Sequence, residues 1–233
     1  MTDLARHAIY FTPAPHSALW RFGCQVLGYD ATGGSAPEPL PGLEAARAAG
    51  VFAEPARYGF HATLKAPFEL AAGTDEASLA AAAEAFAANC ARVSLGRLEV
   101  ARFGRFLALV PAAAPVGLAA LADECVREFE PFRAPLSAAD RARRLAANLS
   151  PRQIAHLDRW GYPQVFDEFH FHMTLTGAIP DDPAGGVLGE LRRLHAAIDV
   201  PVTLDAIALL RQPNRAAPFR VIGRYGFGRS GVS

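Results

Sequence analysis

A strand, a helix and two further strands follow His61, and the same order follows His172. The strand core RLEVARF (97–103) lies 37 residues beyond His61, counted to Leu98, and TLDAIALL (203–210) lies 32 residues beyond His172, counted to Leu204. The next strands, at Phe106 and Phe219, follow their histidines by 45 and 47 residues. Such a pattern restricts the chain to an α+β fold built from two βαββ-like units about a pseudo-twofold axis. The expected architecture is two-lobed, with antiparallel sheets facing a central groove and helices outside. Residues 1–233 then form one bilobal domain with interleaved lobes and one histidine motif in each repeat. A site is expected where the two copies face each other.

The remaining elements fit around this frame. Arg6–Thr12 alternates as a half-buried strand, with Ile9 and Phe11 opposed to Ala8, Tyr10 and Thr12. Residues 15–28 read as a helix with Leu19, Phe22, Val26 and Leu27 on one face, and 31–42 is turn chemistry throughout. Segment 29–56 is a loop long enough to act as a lid. The spacing predicts helices over 74–93, 116–129, 137–148, 150–160 and 183–197. It predicts strands over 97–103, 105–110, 165–179, 202–211 and 219–226, and a loose tail from 228. Ser150 before Pro151 is a helix-start signal.

Charge excludes some partners. Twenty-three basic residues balance twenty-three acidic ones, so overall charge gives no reason to expect a polyanion or an anionic membrane. Long RNA is not favoured, because it needs a concentrated basic stripe; the arginines at 141–144 and 192–193 read first as solvated helix faces. The longest uncharged run, Phe106–Ala122, is interrupted by Pro111, Pro115 and Gly117 and reads as strand, turn and helix start rather than a membrane span. The N-terminus lacks the apolar stretch of a secretion signal. Cys24, Cys90 and Cys125 are widely spaced, which argues against a disulfide framework or zinc knuckle; the expected location is the cytoplasm.

The chemistry lies in YGFHATLKAPF (58–68) and FHFHMTLTG (169–177), each with His-x-Thr-Leu. Alternation puts His61, Thr63 and Lys65 on one face of the first strand, and His170, His172, Thr174 and Thr176 on one face of the second. A His–Thr pair spaced about 6–7 Å along a strand can hold a phosphate oxygen with the hydroxyl while the imidazole reaches a bridging oxygen. Two such pairs would grip a phosphodiester. One neutral imidazole takes a proton from attacking water and the other, protonated, gives one to the leaving alkoxide. Threonine hydroxyls, with Lys65 or an arginine, would stabilise the non-bridging oxygens. The scheme needs no metal and no cofactor.

The paired motifs resemble those of the 2H phosphoesterase superfamily, which includes RNA 2′,3′-cyclic phosphodiesterases of two-lobed fold. The fuller strings are similar to a bacterial subgroup associated with phosphonate metabolism. That resemblance implies acid–base roles for His61 and His172, and phosphate binding by Thr63 and Thr174. It also implies a small phosphorylated substrate, a cyclic phosphodiester such as a ribosyl cyclic phosphate or a nucleoside 2′,3′-cyclic phosphate.

Tyr10 and Arg220 occupy candidate groove faces of the first and last strands, and Arg57 and Tyr58 precede the first motif, where an arginine could hold a terminal phosphate. Gln212 is a similar strand-end candidate. His170 reads as a rim residue; His7, His16, His156 and His195 read as ordinary, and Trp20 and Trp160 as packing residues. Other readings stay open: an RNA-end cyclic phosphodiesterase or ligase, or a non-catalytic nucleotide-binding module. His170-Phe171-His172 suggests a histidine-triad nucleotide hydrolase, but the next alternate position is Thr174 and His61 is left unexplained. Glu168, His170 and His172 share a parity that could hold a metal.

Overall fold

The computed structural model describes residues 4–35, 37–179, 185–198 and 200–228. Its core strand is β1 (Arg6–Phe11), flanked by β2 (Ala62–Glu69) and β8 (Ala206–Gln212), with β9 (Arg220–Gly226) beyond, so the antiparallel sheet runs β2-β1-β8-β9. A second antiparallel sheet runs β4 (Leu98–Phe103), β5 (Phe106–Pro111), β6 (Met173–Thr174). Among the described residues, β3 (Val93–Gly96) and β7 (Val202–Leu204) pair only with each other.

This pairing exchanges the repeats. The hairpin that follows His61, β4–β5, receives the strand of His172. The hairpin that follows His172, β8–β9, joins the strand of His61 through β1. The two strands that enter these hairpins, β3 and β7, run antiparallel against each other, Val93 opposite Leu204. Interleaving therefore carries each histidine to the other copy's sheet and turns both toward a shared groove.

Helices α1 (Ala18–Leu27), α4 (Glu76–Asn89), α5 (Leu118–Glu128) and α8 (Gly185–Ala196) send Phe22, Val26, Leu79, Ala83, Leu121, Cys125 and Leu191 into one continuous apolar core with Ile9, Phe11, Leu64, Leu109 and Leu209. The opposite face of β1 is buried too: Ala8 and Tyr10 pack with Ala208, Leu210 and Phe219. A half-buried strand was expected there; the second layer of packing arises because the groove is walled with aromatic rings. Ser17 caps α1 by accepting from the Trp20 N–H, and Gly28 ends it in the left-handed conformation. Gly23 sits inside α1 because a Cβ there would fall 2.0 Å from the Phe60 ring. That close approach fixes the residue next to His61.

Several expected boundaries shift. Residues 74–93 split into α4, whose cap is Asp75 with a capping box to Ser78, and β3. Segment 202–211 breaks at Asp205, whose carboxylate accepts from Arg224. The long strand expected over 165–179 is mostly irregular. Phe166 has φ +57° and starts a 3-10 turn through Glu168, and only Met173 and Thr174 join the ladder. Beyond them, Leu175 and Thr176 both donate to the Leu107 carbonyl (2.9 and 3.2 Å), and the Thr176 hydroxyl accepts from the Leu107 N–H at 2.9 Å. A side chain thus replaces a ladder bond. The expected helix over 183–197 is α8; its first two positions, and tail residues 229–233, lie outside the described residues.

Segment 29–56 contains two short helices, α2 (Glu44–Ala48) and α3 (Ala53–Ala56). It is tied down by the Val51 carbonyl accepting from Gly177 (2.7 Å) and the Ala31 carbonyl accepting from Val221 (2.8 Å). It forms a wall of the groove instead of a detached flap. No described helix is long and apolar enough to cross a membrane.

Candidate active site

Gly59 turns the chain with φ +74° just before β2, which lets its carbonyl face back toward residue 61. His61 donates from Nδ1 to that carbonyl at 2.8 Å. His172 makes the same contact with the carbonyl two residues earlier, Nδ1 to His170 O, also 2.8 Å. In both rings this bond fixes the tautomer with the proton on Nδ1 and leaves Nε2 as the working nitrogen. The Thr63 hydroxyl donates to His61 Nε2 at 3.2 Å. The two groups converge more closely than strand spacing suggests, because His61 precedes the ladder and is free to bend toward Thr63.

Each imidazole lies on an aromatic ring. Tyr10 stacks on His61 (centroids 3.7 Å, planes 18° apart), and Phe103 stacks on His172 (4.6 Å, 18°), with Phe106 tilted at 5.7 Å. Both histidines, Thr63 and Thr174 line one cavity of about 480 Å³, shared with Tyr10 and Tyr58. Burial pushes His61 down to about 4; the bond to Gly59 opposes this, and charge on His172 adds to it. His172 is lowered too, chiefly by burial.

Thus the structure brings His61, Thr63, His172, Thr174, Tyr10 and Tyr58 together. Tyr58 stacks on Phe219 (5.6 Å, 19°), and its ring lies 6.4 Å from His61. Two expected binding residues are elsewhere. Lys65 is 3% exposed and donates to Val126 O (2.9 Å) and Glu130 Oε2 (2.5 Å) beneath the sheet. The cause is a register slip. His7 faces Phe68, Ile9 faces Lys65, and Tyr10 faces Thr63, so β2 carries extra residues across this stretch. The bulges turn Lys65 to the side of α5, away from Thr63. Arg220 also misses the groove: it is exposed on the edge strand β9, beside Gly33, because Phe219 takes the inward position. Arg57 bonds the Arg215 carbonyl, and Gln212 is taken up by Arg6. His170 is exposed at the rim, with Nδ1 bonded to the Glu168 carbonyl at 3.1 Å.

Sequence reasoning missed Phe103, Phe106, Arg6, Tyr162 and Glu54, all at the site, and placed Arg143 and Arg144 on a solvated face although both line the cavity. The available signal was α6 (Ala138–Leu145), an amphipathic segment that buries no residue and carries three arginines. Among the described residues no group of three or more His, Cys, Asp or Glu side chains converges as a metal site would require.

The model of a family described as a protein of unknown function (DUF1045) matches residues 63–220, beginning two residues after His61. The chain is 36% identical over 227 residues to the ribose 1,5-bisphosphate phosphokinase PhnN of Janthinobacterium sp. (strain Marseille), covering 93% of this chain and 49% of that protein. It is 34% identical over 217 residues to the protein of the same name from Laribacter hongkongensis (strain HLHK9), covering 93% and 50%. The chain therefore spans about half the length of these curated relatives. Among solved structures it is similar to a phosphoesterase (TM-score 0.44, 15% identity, 96% of this chain and 99% of that one). It is also similar to E. coli LigT complexed with NADP+ (TM-score 0.42, 14% identity, 96% and 98%).

Proposed function

We propose that this chain, which belongs to the DUF1045 family, is a phosphodiesterase that opens a small cyclic phosphate by two-histidine acid–base catalysis. The observation that carries this reading is the matched pair of imidazoles, each held by Nδ1 on a carbonyl two residues back and both lining one cavity.

His61 is the base. Burial lowers it to about 4 and charge on His172 adds to this, so above that pH it is neutral while His172 can still hold a proton. When substrate enters, the Thr63 hydroxyl turns from His61 Nε2 to a non-bridging phosphate oxygen, and Nε2 is freed to accept the proton of the attacking water. Water oxygen bonds to phosphorus, the ring P–O bond breaks, and protonated His172 delivers its Nε2 proton to the departing alkoxide. Thr174 binds the other non-bridging oxygen. The product is a phosphomonoester with a free hydroxyl beside it. The aromatic stacks hold the rings in place and keep water away from their faces.

A cavity of about 480 Å³ suits a sugar or nucleoside phosphate. The curated relatives are named for a kinase acting on ribose 1,5-bisphosphate. This chain holds no G-x-x-x-x-G-K-S/T phosphate loop, and its single lysine is bonded to Glu130. The kinase reaction therefore fits the half of those relatives that this chain does not match. The half it does match is suited to opening a ribosyl cyclic phosphate.

The test is a screen of ribose 1,2-cyclic phosphate, nucleoside 2′,3′-cyclic phosphates and linear diesters, with and without EDTA. Hydrolysis of a cyclic ester that survives EDTA is expected. Turnover abolished by EDTA, or confined to linear diesters, contradicts the reading.

The pH dependence follows from the lowered imidazoles. The base must be neutral, so kcat/KM rises as pH climbs through about 4. The acid must be protonated, so kcat/KM falls as pH climbs through the His172 value, which lies below 6.5. The expected profile is a bell with an acidic optimum. In kcat the alkaline limb moves upward, because a bound phosphate anion favours the imidazolium. A flat kcat/KM between pH 4 and 8 is incompatible with this scheme.

A further inference from the structure

We propose that the groove holds a second anion subsite, centred on Arg144 with Arg6 and Arg143, that binds a phosphomonoester carried by the substrate away from its cyclic ester. It rests on the reading of the histidine centre as a phosphodiesterase.

Arg144 stands at the last turn of α6 and points inward, half-buried. Its guanidinium lies over the Tyr162 ring at 5.2 Å, and among the described residues its buried Nε has no hydrogen-bond partner. Burial lowers its proton affinity, the expected response of a desolvated cation without a partner. Asp140, the carboxylate it feels, is already bonded to Arg143 (2.5 Å) and Arg215 (2.7 Å). Among the described residues no carboxylate bonds Arg144. A guanidinium stacked on an aromatic face keeps its N–H edge available, and that edge matches phosphate oxygens in pairs.

The surroundings share this bias. Arg6, Arg143 and Arg144 line the catalytic cavity, and among the described residues Glu54 is its one lining carboxylate. In a chain whose formal charges cancel, that is a local positive field in a walled cleft. The subsite adjoins the chemistry, since Tyr10, stacked on His61, feels both Arg6 and Arg144. The helix itself is built to present arginine. It buries no side chain and is fixed by polar contacts, Ser137 at its start and Arg141 to Asp158 at 2.6 and 3.0 Å. A phosphomonoester fits better than a carboxylate because near neutral pH it carries about two negative charges and three acceptor oxygens.

The experiment compares substrates that differ by one phosphoryl group: ribose 1,2-cyclic phosphate with its 5-phosphorylated form, and a nucleoside 2′,3′-cyclic phosphate with its 5′-phosphorylated form. Wild type is expected to favour the phosphorylated member by about 10–100-fold in kcat/KM, the value of a charge-assisted contact. Arg144→Gln should bring that ratio close to one, and Arg144→Lys should restore part of it. Calorimetric titration with ribose 5-phosphate reads the subsite without catalysis: wild type binds and Arg144→Gln binds at least tenfold more weakly, with thermal melting checking that the variant is folded. Equal treatment of both substrates by wild type, or unchanged ribose 5-phosphate affinity in Arg144→Gln, overturns the subsite while leaving the phosphodiesterase reading intact. Failure to hydrolyse any cyclic ester removes that reading, and Arg144-dependent ribose 5-phosphate binding would then still uphold the subsite.

Discussion

His61→Ala and His172→Ala each lower kcat on a cyclic phosphate by about 10²–10⁴-fold, with KM changed much less. The two losses have different origins. Without His61, water must attack without transferring its proton to a positioned base. Without His172, the alkoxide must leave without receiving a proton, and the loss grows as the leaving alcohol becomes less acidic. A substrate with an acidic leaving group, such as a nitrophenyl ester, should therefore rescue His172→Ala far more than His61→Ala. The double variant should be little worse than either single one, because both groups serve one concerted displacement. The fold should survive both changes, since each ring is only half-buried and bonded through one nitrogen to a carbonyl. Near-wild-type turnover in either single variant would refute the two-histidine scheme. Comparable rescue of both would refute the division of labour.

The pairing of the two histidines was legible in the sequence because it depends on a short, local rule. Alternation decides which side of a strand a residue occupies, and His-x-Thr obeys it in both copies. The same rule failed two residues later at Lys65, where bulges change the parity. Nothing in TLKAPF apart from Pro67 announces those extra residues. Arg220 failed for a related reason: the inward position at the start of β9 is occupied by Phe219. The strand expected over 165–179 is a hydrophobic alternation that pairs with a neighbour only at Met173 and Thr174, so the rest of its apolar patterning is satisfied by burial of Phe171 and Leu175 without a ladder. The arginines were the least legible. Arg6 and Arg144 meet across 138 positions of chain, and no local period encodes such a meeting.

Glu130→Ala should destabilise the protein by about 3–5 kcal/mol, the usual result of stranding a buried charge. Lys65 would keep only the Val126 carbonyl, and Arg133 would lose its bonds of 2.6–3.2 Å to the same carboxylate. The reverse truncation is milder. In Lys65→Met the carboxylate keeps Arg133, the methionine fills the space of the lysine stem, and the charge that had to be buried is gone. Combining the two changes should recover part of the stability lost in Glu130→Ala. Burial alone would raise Glu130, but hydrogen bonds from Arg133 and Lys65 outweigh it and hold the carboxyl below its ordinary value. Its contribution is therefore present above about pH 4.5 and is lost as pH falls through the lower folded value, so wild type and Glu130→Ala should converge in acid. Urea unfolding of the three variants across pH measures this directly. Kinetics on the same samples separate a structural from a substrate-binding lysine. Lys65→Met should retain wild-type kcat and KM, whereas a lysine holding phosphate would raise KM or cut kcat at least tenfold.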